Sequence, residues 1–339
     1  MAGMRFEVYG TAITQHAGQE DTLQTIVELA QRAERHGVNG LLTYYNHQSI
    51  DPWIVASVIL QNSKSVTPLV ALQPYALPPV TAAKLIHSLT SLHRRRMDIN
   101  LVTGATEGEL AQVDEKLDHD DRYDRAVEYG VVLRSLLASN EPLFHEGRFY
   151  RYRALRISSR LEPDERPRIF VAGSSAASRH AAAAVGDVAV THPEPLAQFA
   201  KTFLHRRQDG PRTAIRVGLV ARPTRDEAWS AARALYPADR LAQIKTSMRK
   251  QSESDWSRRL AKLASKDAIY DEVYWTGAYR GGGSVPLLVG EYHEVAHYLE
   301  QYLKLGVSTV LLGGRLTSED DFRHSATVLA ELRSRVRQV

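Results

Sequence analysis

Eight times along this chain a short aliphatic or β-branched run gives way to a stretch with helical periodicity. The expected strands are Arg5–Tyr9, Gly40–Tyr44, Pro68–Leu72, Met97–Val102, Arg168–Ala172, Asp187–Thr191, Ile215–Ala221 and Ser308–Leu312. Helical patterns follow at Thr22–His36, Pro52–Gln61, Pro79–His93, Asp121–Ala138, Ala176–Ala184, Pro195–Arg206, Asp226–Leu235 and Ser318–Val336. A helix between successive strands returns the chain to its starting edge, so the strands pair in parallel. Eight such units are what an α/β, (β/α)8 TIM barrel requires, and the alternation excludes all-α and all-β architectures. The rival doubly wound sheet usually carries a Gly-rich turn after its first strand. Here that turn reads Tyr9-Gly10-Thr11-Ala12-Ile13, without GxGxxG. The 339 residues suit one barrel domain over 1–339 with insertions.

Two insertions stand outside the repeat. Residues 141–159 alternate aromatic and basic side chains and predict a surface hairpin. The second, about 239–288, joins a charged, helical stretch (Asp239–Asp271) to a Gly- and aromatic-rich one (Tyr274–Leu288). It follows the seventh strand, on the side where barrel enzymes carry their lids.

Composition removes whole classes of chemistry. There is no cysteine, so disulfides, thiolate catalysis, Cys-ligated zinc and iron–sulfur clusters are excluded. Lys and Arg number 43 against 39 Asp and Glu, a formal excess of +4 too small to argue for a nucleic-acid partner. No apolar run approaches bilayer-spanning length, and MAGMRFEVYG lacks the pattern of a secretory signal; a cytoplasmic protein is expected.

Barrel enzymes work where strands end. The residues there are Thr11, Tyr45, Asn46, His47, Gln73, Asn100, Thr103, Gly104, Gly173, Ser174, Ser175, Thr191 and His192. Gly173-Ser174-Ser175 opens an Ala-rich helix, so N–H groups and two hydroxyls meet the positive end of a helix dipole. That reads as a phosphate site or as a plain Ser N-cap. Arg280-Gly281-Gly282-Gly283 reads as an anion-binding loop or a flexible linker. His293-Glu294-Val295-Ala296-His297 matches the HExxH pattern of zinc hydrolases. Its histidines fall on the polar line of the helix, away from Val295, Leu299, Tyr302 and Leu303, so no metal is expected. At His119-Asp120-Asp121 one carboxylate is expected to cap a helix, and Arg94-Arg95-Arg96 reads as a solvated helix end.

The segments Asn100-Leu101-Val102-Thr103-Gly104 and Leu117-Asp118-His119-Asp120-Asp121-Arg122-Tyr123 resemble the alkanesulfonate monooxygenase branch of the bacterial luciferase-like flavin monooxygenases. The likeness continues collinearly through Gly173-Ser174-Ser175, Glu194-Pro195, Ile215-Arg216, Asp226-Glu227-Ala228-Trp229, Arg280-Gly281-Gly282 and Leu305-Gly306-Val307. It implies a luciferase-like barrel that takes reduced FMN (FMNH2) from a separate NAD(P)H:flavin reductase and uses O2 through a flavin peroxide. Homo-oligomers, dimers or tetramers, are usual in such relatives. Carried over by position, Tyr123 with Gly173, Ser174 and Ser175 would hold the FMN phosphate, and Asn100, Val102 and Thr103 would line the ring. Arg216 and Arg280 would be catalytic. The substrate half departs from the branch: Ser49, His192, Gly218 and the Gly314-Arg315 region replace its cysteine, tryptophan, histidine and tyrosine. Glycine at 218 is expected to open space, and a simple alkanesulfonate is not expected to be the best substrate; a specialised metabolite oxygenated at C, N or S fits as well. The same fold also serves deazaflavin (F420)-dependent oxidoreductases, a reading that the resemblance disfavours.

Overall fold

In the computed structural model, residues 4–12, 22–104, 107–157, 159–203, 210–237, 255–280, 283, 285–314, 316 and 318–337 are described. The strands, in chain order, are β1 Glu7–Ala12, β2 Gly40–Thr43, β3 Thr67–Leu72, β4 Asp98–Leu101, β5 Leu143–Glu146, β6 Arg151–Leu155, β7 Ile169–Ala172, β8 Val188–Thr191, β9 Arg212–Arg222, β10 Ile269–Tyr270, β11 Tyr274–Trp275, β12 Leu287–Glu291 and β13 Val307–Gly313. Each of the eight expected strands is present, with its ends moved by a few residues. The chain forms two compact units, one of residues 12–34 and 40–189, the other of residues 1–11, 35–39 and 190–339.

In the first unit β2, β3, β4 and β7 pair in parallel. Their residues are buried on both faces, and apart from Asp98 and Asn100 of β4 they are mostly apolar. Val70, Leu72, Ile99, Leu101, Ile169 and Val171 pack with Ile86, Tyr129 and Leu133 from the covering helices. Asp98, fully buried at the start of β4, is paired with Arg168 at 2.8 Å and Arg96 at 3.2 Å. The helix Pro52–Asn62 starts on Asp51, whose carboxylate accepts the Trp53 N–H at 2.9 Å. Asp118, rather than Asp120 or Asp121, caps the helix His119–Ala138. The expected hairpin is β5–β6, and Glu128 fastens its turn by accepting from Phe149 N (3.0 Å) and Tyr150 N (2.8 Å). The Arg94–Arg96 run is not a solvated face: Arg95 donates to the carbonyls of Leu60, Ser63 and Val66 and ties two loops together.

In the second unit the long strand β9 pairs in parallel with β13 along its first half and with β12 along its second. β13 also pairs with β1, and β12 continues antiparallel into β11 and β10. Tyr274-Trp275 and Leu287-Leu288, read from sequence as parts of a lid, are therefore paired strands. Within that insertion, 239–254, 281, 282 and 284 lie outside the described residues.

Candidate active site

The flavin-side residues of the sequence reading all fall in the first unit. The register Leu101↔Val171 sets the C-terminal ends of β4 and β7 side by side. Asn100 is buried, and its Oδ1 has no hydrogen-bond partner. The chain leaves β4 through half-buried Val102, whose N–H donates to Leu72 O at 3.0 Å, and buried Thr103. Tyr123, from the helix behind, is buried and donates from its hydroxyl to Ala172 O at 3.0 Å. Burial raises its pKa, against hydrogen bonds with the Thr103 and Ser178 side chains, so the phenol stays neutral and can donate.

Beyond β7 the turn is forced open by glycine. Gly173 sits at φ +139°, and a Cβ there would lie 2.5 Å from both Ser178 Cβ and Tyr123 Oη. Only glycine lets the backbone pass this close to the tyrosine. Ser174 is buried, and Ser175 caps the helix Ala176–Val185 by accepting the Ser178 N–H at 3.1 Å. The turn, the tyrosine and the buried Asn100 oxygen thus gather at the ends of two paired strands, with one acceptor unfilled. Their chemistry fits the phosphate and polar ring edge of a flavin nucleotide. Ser49 has a local role, donating from Oγ to Asn46 O at 3.0 Å.

Apart from Ser49, which lies in the first unit, the substrate-side residues fall in the second unit. His192 is buried with its ring flat on Trp256, centroids 3.8 Å apart and planes at 14°. Its Nε2 has no partner. Burial first, then the charges of Arg216 and Arg259, push its pKa well below the usual histidine value, so the imidazole is neutral. Arg216, on β9, has a buried Nε without a partner, and burial lowers its pKa. Buried Glu194 holds Arg259 at 3.3 Å, Gln198 at 3.1 Å and Thr202 at 3.0 Å.

A set of tyrosines locks the turn that carries His192. Tyr274 donates to Pro193 O at 2.8 Å and Tyr302 to Glu194 O at 2.5 Å. Tyr298 donates to Asp271 Oδ2 at 2.6 Å, and that carboxylate accepts the Leu196 N–H at 3.2 Å. Sequence reading missed Trp256, Tyr274 and Tyr298. The spacing of Tyr298 and Tyr302, one helical turn apart, was the available signal.

One expectation changes here. Gly218 does not open space: it is packed between β12 and β13, where a Cβ would meet Leu287 Cδ2 at 2.3 Å and Gly313 O at 2.9 Å. Glycine is needed because strands approach on both sides. Arg280 closes the short helix Gly277–Arg280; its side chain, Gly281, Gly282 and Arg315 lie outside the described residues. Gly283 is tied back to that helix, its N–H donating to Ala278 O at 2.7 Å.

The HEVAH residues do other work. Glu294 accepts the Glu291 N–H at 2.9 Å at the start of the helix Tyr292–Lys304. His293 and His297 are about 60% exposed and face the Glu291 and Glu300 carboxylates. Among the described residues, no group of three potential ligands is placed to hold a metal ion.

The family model for luciferase-like monooxygenases matches residues 4–309. This chain belongs to that family. It is 43% identical, over 93% of both chains, to the 4-(gamma-L-glutamylamino)butanoyl-[BtrI acyl-carrier protein] monooxygenase BtrO of Niallia circulans. Among solved structures it resembles EDTA monooxygenase (EmoA) from Chelativorans sp. BNC1, with a TM-score of 0.77 and 17% identity over 98% of this chain and 94% of that one. It also resembles riboflavin lyase (RcaE), determined with a modified FMN and riboflavin, with a TM-score of 0.74 and 20% identity over 98% and 92%. The family's fold is the closed eight-stranded parallel barrel with surrounding helices, the architecture expected from the strand–helix alternation. The chain is a flavin-dependent monooxygenase. Among the described residues, no helix is long and apolar enough to cross a membrane.

Proposed function

We propose that this monooxygenase works with reduced FMN delivered by a separate NAD(P)H-dependent reductase, consumes O2, and oxygenates an acyl group tethered to a carrier protein. The observation that carries the cofactor half is the Gly173 turn: a backbone open only to glycine, pressed against a neutral tyrosine and leading into a helix N-terminus. Ser174, Ser175 and the turn's N–H groups would bind the phosphate, with Tyr123 fixing the turn through Ala172. Asn100 would spend its unfilled acceptor on a ring N–H, with Val102 and Thr103 beside it. When bound, reduced FMN supplies the electrons that activate O2.

The substrate half of the proposal draws on the likeness to BtrO, which by name acts on a carrier-bound acyl amide. Neutral His192 would offer its unpaired Nε2 to a polar group of the substrate, held rigid by Trp256 and the tyrosine-bound turn. Arg216 and Arg280 would supply positive charge where negative charge develops on oxygen. Excluding water around these groups strengthens each interaction. A homo-oligomer, dimer or tetramer, is part of the same reading, and light scattering measures it.

The test is turnover with isotopically labelled O2 and three substrates: an acyl-carrier-protein thioester, the matching free acid and an alkanesulfonate. Label entering the thioester with FMNH2 is the expected result. Label entering only the sulfonate would overturn the carrier assignment. Hydride transfer with reduced F420, and no reaction with FMNH2, would replace the cofactor.

A further inference from the structure

Beside the Glu194 contacts, the second unit carries a groove of about 400 Å³ lined by Gln198, Arg259, Lys262, Leu263, Ser265 and Lys266. It draws on two helices, Leu196–Phe203 and Asp255–Lys266. Lys262 and Lys266 are exposed one helical turn apart, so their ammonium groups lie on one face, while the exposed Ser265 hydroxyl donates back to Ala261 O at 2.7 Å. Among the described residues, neither lysine has a carboxylate within ion-pairing distance. Arg259, by contrast, is already occupied by Glu194 and Asp255. Among the described residues, the outer end of the groove therefore holds two ammonium groups without a carboxylate partner.

The helix that lines the groove also reaches the candidate substrate residues. The same helix places Trp256 against His192, and Arg259 and Gln198 both bond Glu194, two residues on from His192. From Trp256 to Lys266 the helix rises about 15 Å, at roughly 1.5 Å per residue. One straight element thus links a stacked, neutral aromatic pair to a cationic mouth, with Leu263 as apolar lining between. A ligand matching this order is extended, has a flexible linear body, carries its reacting group at one end and bears an anion at the other.

We infer that this groove seats the phosphopantetheine arm of an acyl-carrier protein, with Lys262 and Lys266 on its phosphodiester and the acyl end toward the His192–Trp256 stack. The inference rests on the carrier-bound reading above and adds the surface that recognises the arm. Phosphate favours this mouth because two ammonium groups neutralise it. Free acids and sulfonates lacking the arm would not span the groove.

The experiment measures binding of phosphopantetheine, pantetheine and inorganic phosphate to the full chain by calorimetry, for the unmodified protein, Lys262→Gln and Lys262→Gln/Lys266→Gln. Phosphopantetheine should bind about tenfold or more tightly than pantetheine, as two charge-assisted contacts imply. That preference should shrink in the single variant and vanish in the double. Equal binding of the two arms, or a preference that survives both substitutions, overturns the inference. So does inorganic phosphate competing as well as phosphopantetheine, because the groove would then be an anion site without an arm. FMN binding and labelled-oxygen incorporation into a pantetheine thioester, measured on the unmodified protein, test the earlier reading separately. A protein that binds FMN and oxygenates the thioester yet ignores the phosphate sinks only the groove.

Discussion

Replacing Ser174 and Ser175 by alanine one at a time separates phosphate binding from helix capping. Ser175 Oγ accepts the Ser178 N–H at 3.1 Å, so Ser175→Ala removes an N-cap. That costs about 1 kcal/mol of stability. In a chain of this length the melting temperature should fall by roughly 2 °C or less. Ser174 has no part in the cap: what Arg179 holds there is the backbone carbonyl, which alanine keeps. A hydroxyl bonded to a charged phosphate is worth about 1.5–3 kcal/mol. Losing it raises the FMN Kd roughly tenfold to 160-fold. Quenching of flavin fluorescence gives the affinity, and a thermal melt gives the stability. Riboflavin, which lacks the phosphate, is the control. Ser174→Ala should weaken FMN while leaving riboflavin affinity in place, and Ser175→Ala should lower both FMN affinity and stability. If Ser174→Ala leaves FMN untouched, or weakens FMN and riboflavin equally, its hydroxyl does not contact the phosphate and the argument fails.

Other substitutions test the remaining structure. Gly173→Ala must accommodate a Cβ 2.5 Å from Tyr123 Oη at φ +139°, with strain and overpacking costing about 2–6 kcal/mol together; an unchanged urea midpoint would refute the contact. Tyr302→Phe removes the bond to Glu194 O and should cost about 1 kcal/mol, raising KM more than it lowers flavin affinity. If flavin affinity falls instead, the tyrosine does not act through the His192 turn. His192 is neutral when folded, and the unfolded chain binds its proton below about pH 6.5. Folding stability should therefore fall as pH drops through that value, by at most about 1.4 kcal/mol per unit, and His192→Gln should flatten this limb. Urea titrations at pH 7 and 5.5 that show the same slope in both proteins would contradict the depressed pKa. Glu294→Ala should cost about 1 kcal/mol through its cap, while chelators and His293→Ala leave turnover intact. Loss of activity on chelation would revive the zinc reading.

How much of this was legible in the sequence depends on where the information is stored. Strands such as Val70–Leu72 and Ile169–Ala172 declare themselves because burial on both faces demands unbroken aliphatic runs. The Gly-Ser-Ser turn declares itself because its chemistry lies in consecutive residues. Leu287–Glu291 escaped notice because its Gly- and Pro-containing flank reads as loop, and only pairing with the far half of β9 makes it a strand. The same pairing explains Gly218. Read along the chain, a glycine in place of a large side chain suggests room; in the sheet, Leu287 and the Gly313 carbonyl already fill that room. The His192 turn is less legible still, since its partners Trp256, Asp271, Tyr274, Tyr298 and Tyr302 are scattered over the C-terminal third of the chain. Local chemistry therefore marks the flavin side, whereas long-range packing builds the substrate side. A relative can keep Gly173, Tyr123 and Asn100 and still change substrate by altering any of these distant contacts. Removing Trp256 (Trp256→Ala) should accordingly shift substrate KM and leave FMN affinity within about twofold, because a removed stack costs only about 0.5–1.5 kcal/mol beyond its buried area and acts where, on the proposed reading, the imidazole would meet substrate.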